Sequence, residues 1–137
     1  MQDAVARLVD ERAVRDVMLR YARGVDDRDR EQVRDCFAPD AFVVGTGHSG
    51  VRDEYLERLF AGVVRFGVTM HTVGNQVVAV DGDSATTETD LIARHFRDAE
   101  GRDEALVLGV RYHDQLRRAG SEWLITRREV HRLWSRP

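Results

Sequence analysis

The stretch VTMHTVGN, residues 68–75, sets one ionisable ring in a run of apolar and small residues. An imidazole placed there has two readings. It is either a core histidine with both nitrogens satisfied, or a base at the bottom of a pocket, suited to the role because its charge changes near neutral pH. A second histidine, His95, closes the run SATTETDLIARHF. Side chains alternate along a strand, so Ala85, Thr87, Thr89, Leu91, Ala93 and His95 share one face, small and uncharged until the ring. That face has the character of a cavity wall. In the preceding run His71, Val73, Asn75 and Val77 share a side, and if the two faces coincide both histidines look into one concavity. Tyr21 lies on the apolar stripe of a first helix and points inward, with Asp26 five residues on in YARGVDDRD. Of Asp26, Asp27 and Asp29, at least one can sit beneath the sheet while the others cap a second helix.

The elements that must position these residues follow from periodicity. Residues 3–23 carry Val5, Leu8, Val9, Ala13, Val17, Met18 and Tyr21 at three- and four-residue steps, which predicts an amphipathic helix with Gly24 as its stop. A short second helix is expected over 29–36, closed by the Pro39-Asp40 turn signal, and a short strand over 41–44. VRDEYLERLFAG predicts a third helix. Residues 68–80, 84–96, 104–118 and 122–133 then read as four long strands, separated by DGD, DAEGRD and RAGSE. Links this short hold no crossover helices, so adjacent strands are antiparallel. Helices first and hairpins later is an α+β order. At 137 residues, 1–137 is expected to be one domain with a core of its own.

Several chemistries are disfavoured by what the chain lacks. All 21 basic residues are arginine, which removes Schiff-base chemistry, lysine-linked pyridoxal phosphate and a Walker lysine. Gly45-Thr46-Gly47-His48-Ser49-Gly50 matches a dinucleotide fingerprint literally, but the hairpins after it are not βαβ units, and a glycine-rich turn before a helix is the better reading. His48, His71, His95, His113 and His131 form no metal-ligand spacing, and no G-x-S-x-G elbow is present. A net charge of −3 gives no basic field for nucleic acid, and no 18-residue apolar run predicts a membrane span. The single cysteine, Cys36, and a start without an apolar leader core are read as those of a cytoplasmic protein.

Larger motifs carry a resemblance. Y-x-x-x-x-D, T-M-H-x-x-G-N, V-D-G-D, G-x-R-Y-x-D-x-L and W-x-I-x-x-R together resemble the SnoaL-like branch of the nuclear transport factor 2-like superfamily, over nearly the whole chain. Its relatives include scytalone dehydratase, bile acid 7α-dehydratase, hexachlorocyclohexane dehydrochlorinase and polyketide cyclases. The resemblance implies a cone-shaped, curved, mostly antiparallel sheet packed on N-terminal helices, with a pocket at the open end. It puts a carboxylate on Asp26, a base on His71, a tyrosine on Tyr21, a pocket arginine on Arg128 and a second histidine on His95. Strand parity groups Arg128 with Leu124, Thr126 and Val130, and Arg127 with Trp123 and Ile125; a bulge would exchange which arginine faces inward.

An Asp–His dyad has a clear use. The carboxylate holds one ring nitrogen and stabilises the imidazolium, which leaves the other nitrogen to remove a proton beside a carbonyl or a leaving group. Tyr21 and Arg128 would donate to a developing enolate or departing hydroxyl. The expectation is therefore a cofactor-independent lyase or isomerase (dehydratase, ketosteroid-isomerase-like or cyclase type) for a small hydrophobic organic substrate, working as a homo-oligomer. The alternative is a non-catalytic ligand-binding or accessory domain of the same fold. Epoxide hydrolysis through an Asp–Arg–Asp set is a third reading, for which Asp90 is the available acid, on the strand face opposite His95.

Overall fold

Strands that alternate along one face need something apolar to cover that face, and the helices supply it. The computed structural model describes residues 2–137 in the order α1 (Gln2–Asp26), α2 (Arg30–Arg34), β1 (Phe37–Val44), β2 (Ser49–Val51), α3 (Arg52–Val63), β3 (Val68–Asp81), β4 (Ser84–Phe96), β5 (Glu104–Ala119) and β6 (Glu122–Arg136). Strand order is β2-β1-β6-β5-β4-β3. The long hairpins β3–β4, β4–β5 and β5–β6 are antiparallel, as is β1–β2, while β1 runs parallel to β6. The result is a curved, unclosed, mostly antiparallel sheet with helices on its concave side. Gly82 and Gly120, at φ 60° and 64°, make the two-residue turns that fix the β3–β4 and β5–β6 registers.

Val14, Val17, Met18, Tyr21 and Val25 form the buried stripe of α1 and join Phe37, Leu56, Leu91, Tyr112, Trp123 and Ile125 in the main core. Val5, Leu8 and Val9, which share the helical repeat, are exposed, so the buried stripe begins only at Val14. Gly24 does not stop the helix. It lies inside α1, where a Cβ would come within 2.8 Å of Val33 Cγ2, so it serves the close crossing with α2. The left-handed residue that ends α1 is Arg28, at φ 59°. Asp29 N–H bonds Gly24 C=O and Arg28 N–H bonds Val25 C=O, the paired closure of a Schellman motif. Asp29 then caps α2 through the Gln32 N–H.

Two other expectations shift for local reasons. Pro39 and Asp40 lie within β1, not in a turn after α2; the β1–β6 register jumps between Phe37 and Phe42, and the irregularity absorbs the proline. In β3 a bulge between Val73 and Gln76 reverses the alternation. Beyond it Val77 is exposed while Val78 and Val80 pack on the core, so Asn75 and Val77 do not continue the face of His71.

Candidate active site

The C-terminal turn of α1 crosses the start of β3, and their meeting builds the site. The Asp26 carboxylate takes three hydrogen bonds from β3: His71 Nδ1 donates to Oδ1 at 2.7 Å, the His71 backbone N–H to Oδ2 at 2.8 Å, and Thr69 Oγ1 to Oδ1 at 3.0 Å. A carboxylate only accepts, so Nδ1 carries a proton, and in the neutral ring the Nε2 lone pair is free. Among the described residues nothing bonds to Nε2. Burial works to raise the Asp26 carboxyl, but the bonds from the His71 ring and backbone and from Thr69 outweigh it and hold the group below its ordinary value. Asp26 therefore stays ionised, and it fixes both the tautomer and the angle of the ring.

Arg28 braces this arrangement. Its guanidinium donates to Thr69 Oγ1 at 2.8 Å, which leaves the threonine proton for Asp26, and to the carbonyls of Val25, Asp26, Val63 and Phe66. One side chain thus ties the end of α1 to β3 and to the segment after α3. A non-glycine residue in the left-handed region costs on the order of 1 kcal/mol, tolerated where the surroundings over-determine the conformation. Neither Arg28 nor Thr69 stood out in the sequence; a positive φ on arginine leaves no compositional trace.

His71 opens onto a cavity of about 400 Å³ between α3 and the concave sheet face. Its walls include Leu59, Phe66, Leu91, Ala93, Leu108 and Val130. His95 lines it too, with its ring centroid 6.1 Å from that of His71, edge to face, and 4.9 Å from that of Phe66. Burial among these groups lowers the affinity of His95 for a proton, so its ring is neutral near pH 7. Both histidines look into one concavity because His71 pairs with Ala93 across the β3–β4 ladder, two residues from His95.

Tyr21 and Arg128 sit elsewhere. Neither lines the cavity. Tyr21 is fully buried, and its hydroxyl meets that of Tyr55 at 2.6 Å and that of Tyr112 at 3.5 Å. Tyr55 and Tyr112 are the tyrosines on the cavity surface. Burial raises the Tyr21 and Tyr112 phenols, which keeps both protonated as donors. Arg128 is also fully buried, bonded bidentate to Asp114 at 2.8 Å and 2.8 Å. Its guanidinium carbon lies 3.9 Å from the Tyr112 ring centroid, 4.3 Å from that of Tyr21 and 5.2 Å from that of Phe37. The bulge that brings it inward lies at Thr126, where the register shifts between Gln115 and Leu116 and sets Arg128 on the face of Trp123 and Ile125. The expectation that Tyr21 and Arg128 reach the substrate is therefore corrected to a place behind the cavity wall.

Asp90 is paired bidentate with Arg111 and lines no part of this cavity. Among the described residues no three His, Cys, Asp or Glu side chains converge to hold a metal ion. Among the described residues no helix is long and apolar enough to cross a membrane. Cys36 is buried, and desolvation lifts its thiol to about 11, an inert core thiol.

The SnoaL-like domain profile matches residues 6–129. The chain belongs to the SnoaL-like domain family. An uncharacterised protein from Mycobacterium tuberculosis is 27% identical over 128 residues, 91% of this chain and 86% of its own. Among solved structures, a scytalone dehydratase-like protein from Novosphingobium aromaticivorans has a TM-score of 0.85 at 24% identity, covering 99% of this chain and 91% of that one. A hexachlorocyclohexane dehydrochlorinase from Novosphingobium barchaimii has a TM-score of 0.82 at 18% identity, covering 98% and 93%. At these identities the likeness concerns the SnoaL-like fold, an α+β cone of the nuclear transport factor 2-like kind.

Proposed function

We propose that the protein is a cofactor-independent lyase or isomerase in which His71 removes a proton from a small organic substrate. One observation carries the reading: the His71 ring is held through Nδ1 by Asp26 at 2.7 Å while the unengaged Nε2 belongs to a residue lining an apolar cavity. Asp26 orients the ring and balances the imidazolium that forms; a positioned base of this kind contributes about 10²–10⁴-fold to rate. Elimination, isomerisation and aldol-type closure all begin with this step. Charge developing on the substrate oxygen meets donors on the cavity wall, Tyr55 and Tyr112, which Tyr21 ties together from behind. His95, neutral, is placed to hydrogen-bond the substrate or return the proton. A carrier of the same fold needs the cavity but has no use for an oriented imidazole beside it.

Proton exchange tests this with the natural substrate still unidentified. The protein is incubated in D₂O with a panel of ketones, β-hydroxy ketones and thioesters, and deuterium uptake beside the carbonyl is followed by mass spectrometry. Uptake that depends on His71 supports the base. Uptake unchanged in His71→Ala, or absent across the panel, favours the carrier.

A further inference from the structure

The cavity is lined by twenty residues, none of them Asp or Glu, in a chain that carries 24 acids. Only four of the twenty are exposed: Thr46, Arg58, Arg65 and Arg132. The mouth is therefore three arginines and a threonine, above walls that are mainly apolar. Arg58 comes from α3, Arg65 from the segment after it, and Arg132 from β6, so three separate parts of the chain bring a guanidinium to one opening.

These three arginines also have no carboxylate partner among the described residues. Twelve of the 21 arginines make a carboxylate contact within 4 Å among the described residues: 7, 12, 34, 52, 94, 97, 102, 111, 117, 118, 127 and 128. None of the three at the mouth does. Glu54 and Glu57 share a second recess with Arg58 on the outside of α3, yet neither makes such a contact with it and neither lines the cavity. Of the nine arginines without such a contact, three share this one opening, where no acid lines the cavity, so their positive charge is left uncancelled there. A cleft with walls of one sign and low polarisability focuses its field on an entering ligand. The guanidinium fork suits carboxylate and phosphate oxygens, which it binds with paired hydrogen bonds.

We infer that the substrate is an amphipathic organic anion: an apolar body that enters the cavity, bearing a carboxylate or phosphate that stays at the Arg58–Arg65–Arg132 mouth. This rests on reading the cavity as the substrate site. It goes further by fixing the orientation. The head is held in the wet opening, and the body lies against Phe66, Leu91 and Ala93, with the carbon to be deprotonated turned toward His71.

Isothermal titration calorimetry with three probes of one shape tests it: 2-naphthoate, 2-naphthyl phosphate and the neutral 2-naphthamide, at low ionic strength. At least one anion should bind roughly tenfold or more tighter than the amide, and added salt should weaken the anion alone. Tighter naphthoate assigns a carboxylate head, and tighter naphthyl phosphate a phosphate head. In a combined Arg58→Gln, Arg65→Gln, Arg132→Gln variant the preference should shrink to about twofold; all three side chains are exposed, and circular dichroism checks that the fold is kept. Equal binding of all three probes, or a preference untouched by the triple variant, overturns the inference. The same titration on His71→Ala separates it from the proposed reaction. Anion preference that survives there, alongside proton exchange that never depended on His71, leaves the mouth standing and removes the base.

Discussion

The molecule holds two acid–base pairs within its folded interior, and they differ in how far they are sealed. Arg128 and Asp114 have side-chain exposures of 0% and 1%. Burial opposes the arginine charge, but Asp114 more than restores it, and the surrounding ring faces take the place of water. The arginine keeps its charge, and the pair has no open face. His71 and Asp26, at 6% and 19%, lie at the edge of the core. One ring nitrogen is committed and the other meets the cavity. A pair sealed on every side can only hold the fold, whereas a pair with one titratable atom left open can do chemistry.

The largest expected effect lies in the sealed pair. Arg128→Ala strands a buried carboxylate and should cost about 3–5 kcal/mol in urea denaturation; a loss below about 1 kcal/mol would end the contrast. His71→Ala should alter stability far less, since Asp26 retains some access to water, and should instead cut proton exchange by about 10²–10⁴-fold. Asp26→Asn should keep the ring roughly in place yet remove the charge that stabilises the imidazolium, an effect of about 10²-fold.

The smaller effects are pH-dependent. The folded-state affinity of Asp26 for a proton is depressed, so the stability it contributes is complete above the ordinary 3.8 and is lost as pH falls through the lower folded value. Thermal melts of wild type against Asp26→Asn should converge only on that acid side. His95 is depressed as well, from 6.5, so the neutral ring is the one the fold prefers, and the protein weakens as pH drops below that value toward the folded one. His95→Gln should flatten that part of the melting profile. A profile unchanged by the substitution would mean that the ring sits in a wetter place than its neighbours indicate.

Much of this architecture could be read from residue order. The β4 pattern, in which Ala85 through His95 alternate buried against exposed partners, follows directly from the period of a strand, and short turns carrying Gly82 and Gly120 make hairpins the simple outcome. The shared concavity of His71 and His95 was legible for the same reason, because register between adjacent hairpin strands is set locally. The bulges were not. At Gly74-Asn75 and at Thr126 one extra residue reverses which side chains face inward; a glycine within a strand is the one mark of the first, and Thr126 carries none.

By itself the sequence determined the element types, the hairpin order, the lack of lysine chemistry and the histidines worth following, because periodicity and side-chain chemistry are local properties. The resemblance carried by its motifs named Asp26, of three neighbouring aspartates, as the partner of His71, whereas only the tertiary structure decided that Arg128 goes to Asp114, that Arg28 braces the Asp26–His71 contact, and that Arg58, Arg65 and Arg132 share one opening. Each of those depends on where chain segments tens of residues apart come to rest, and that is set by the packing of α1 and α3 into a curved sheet.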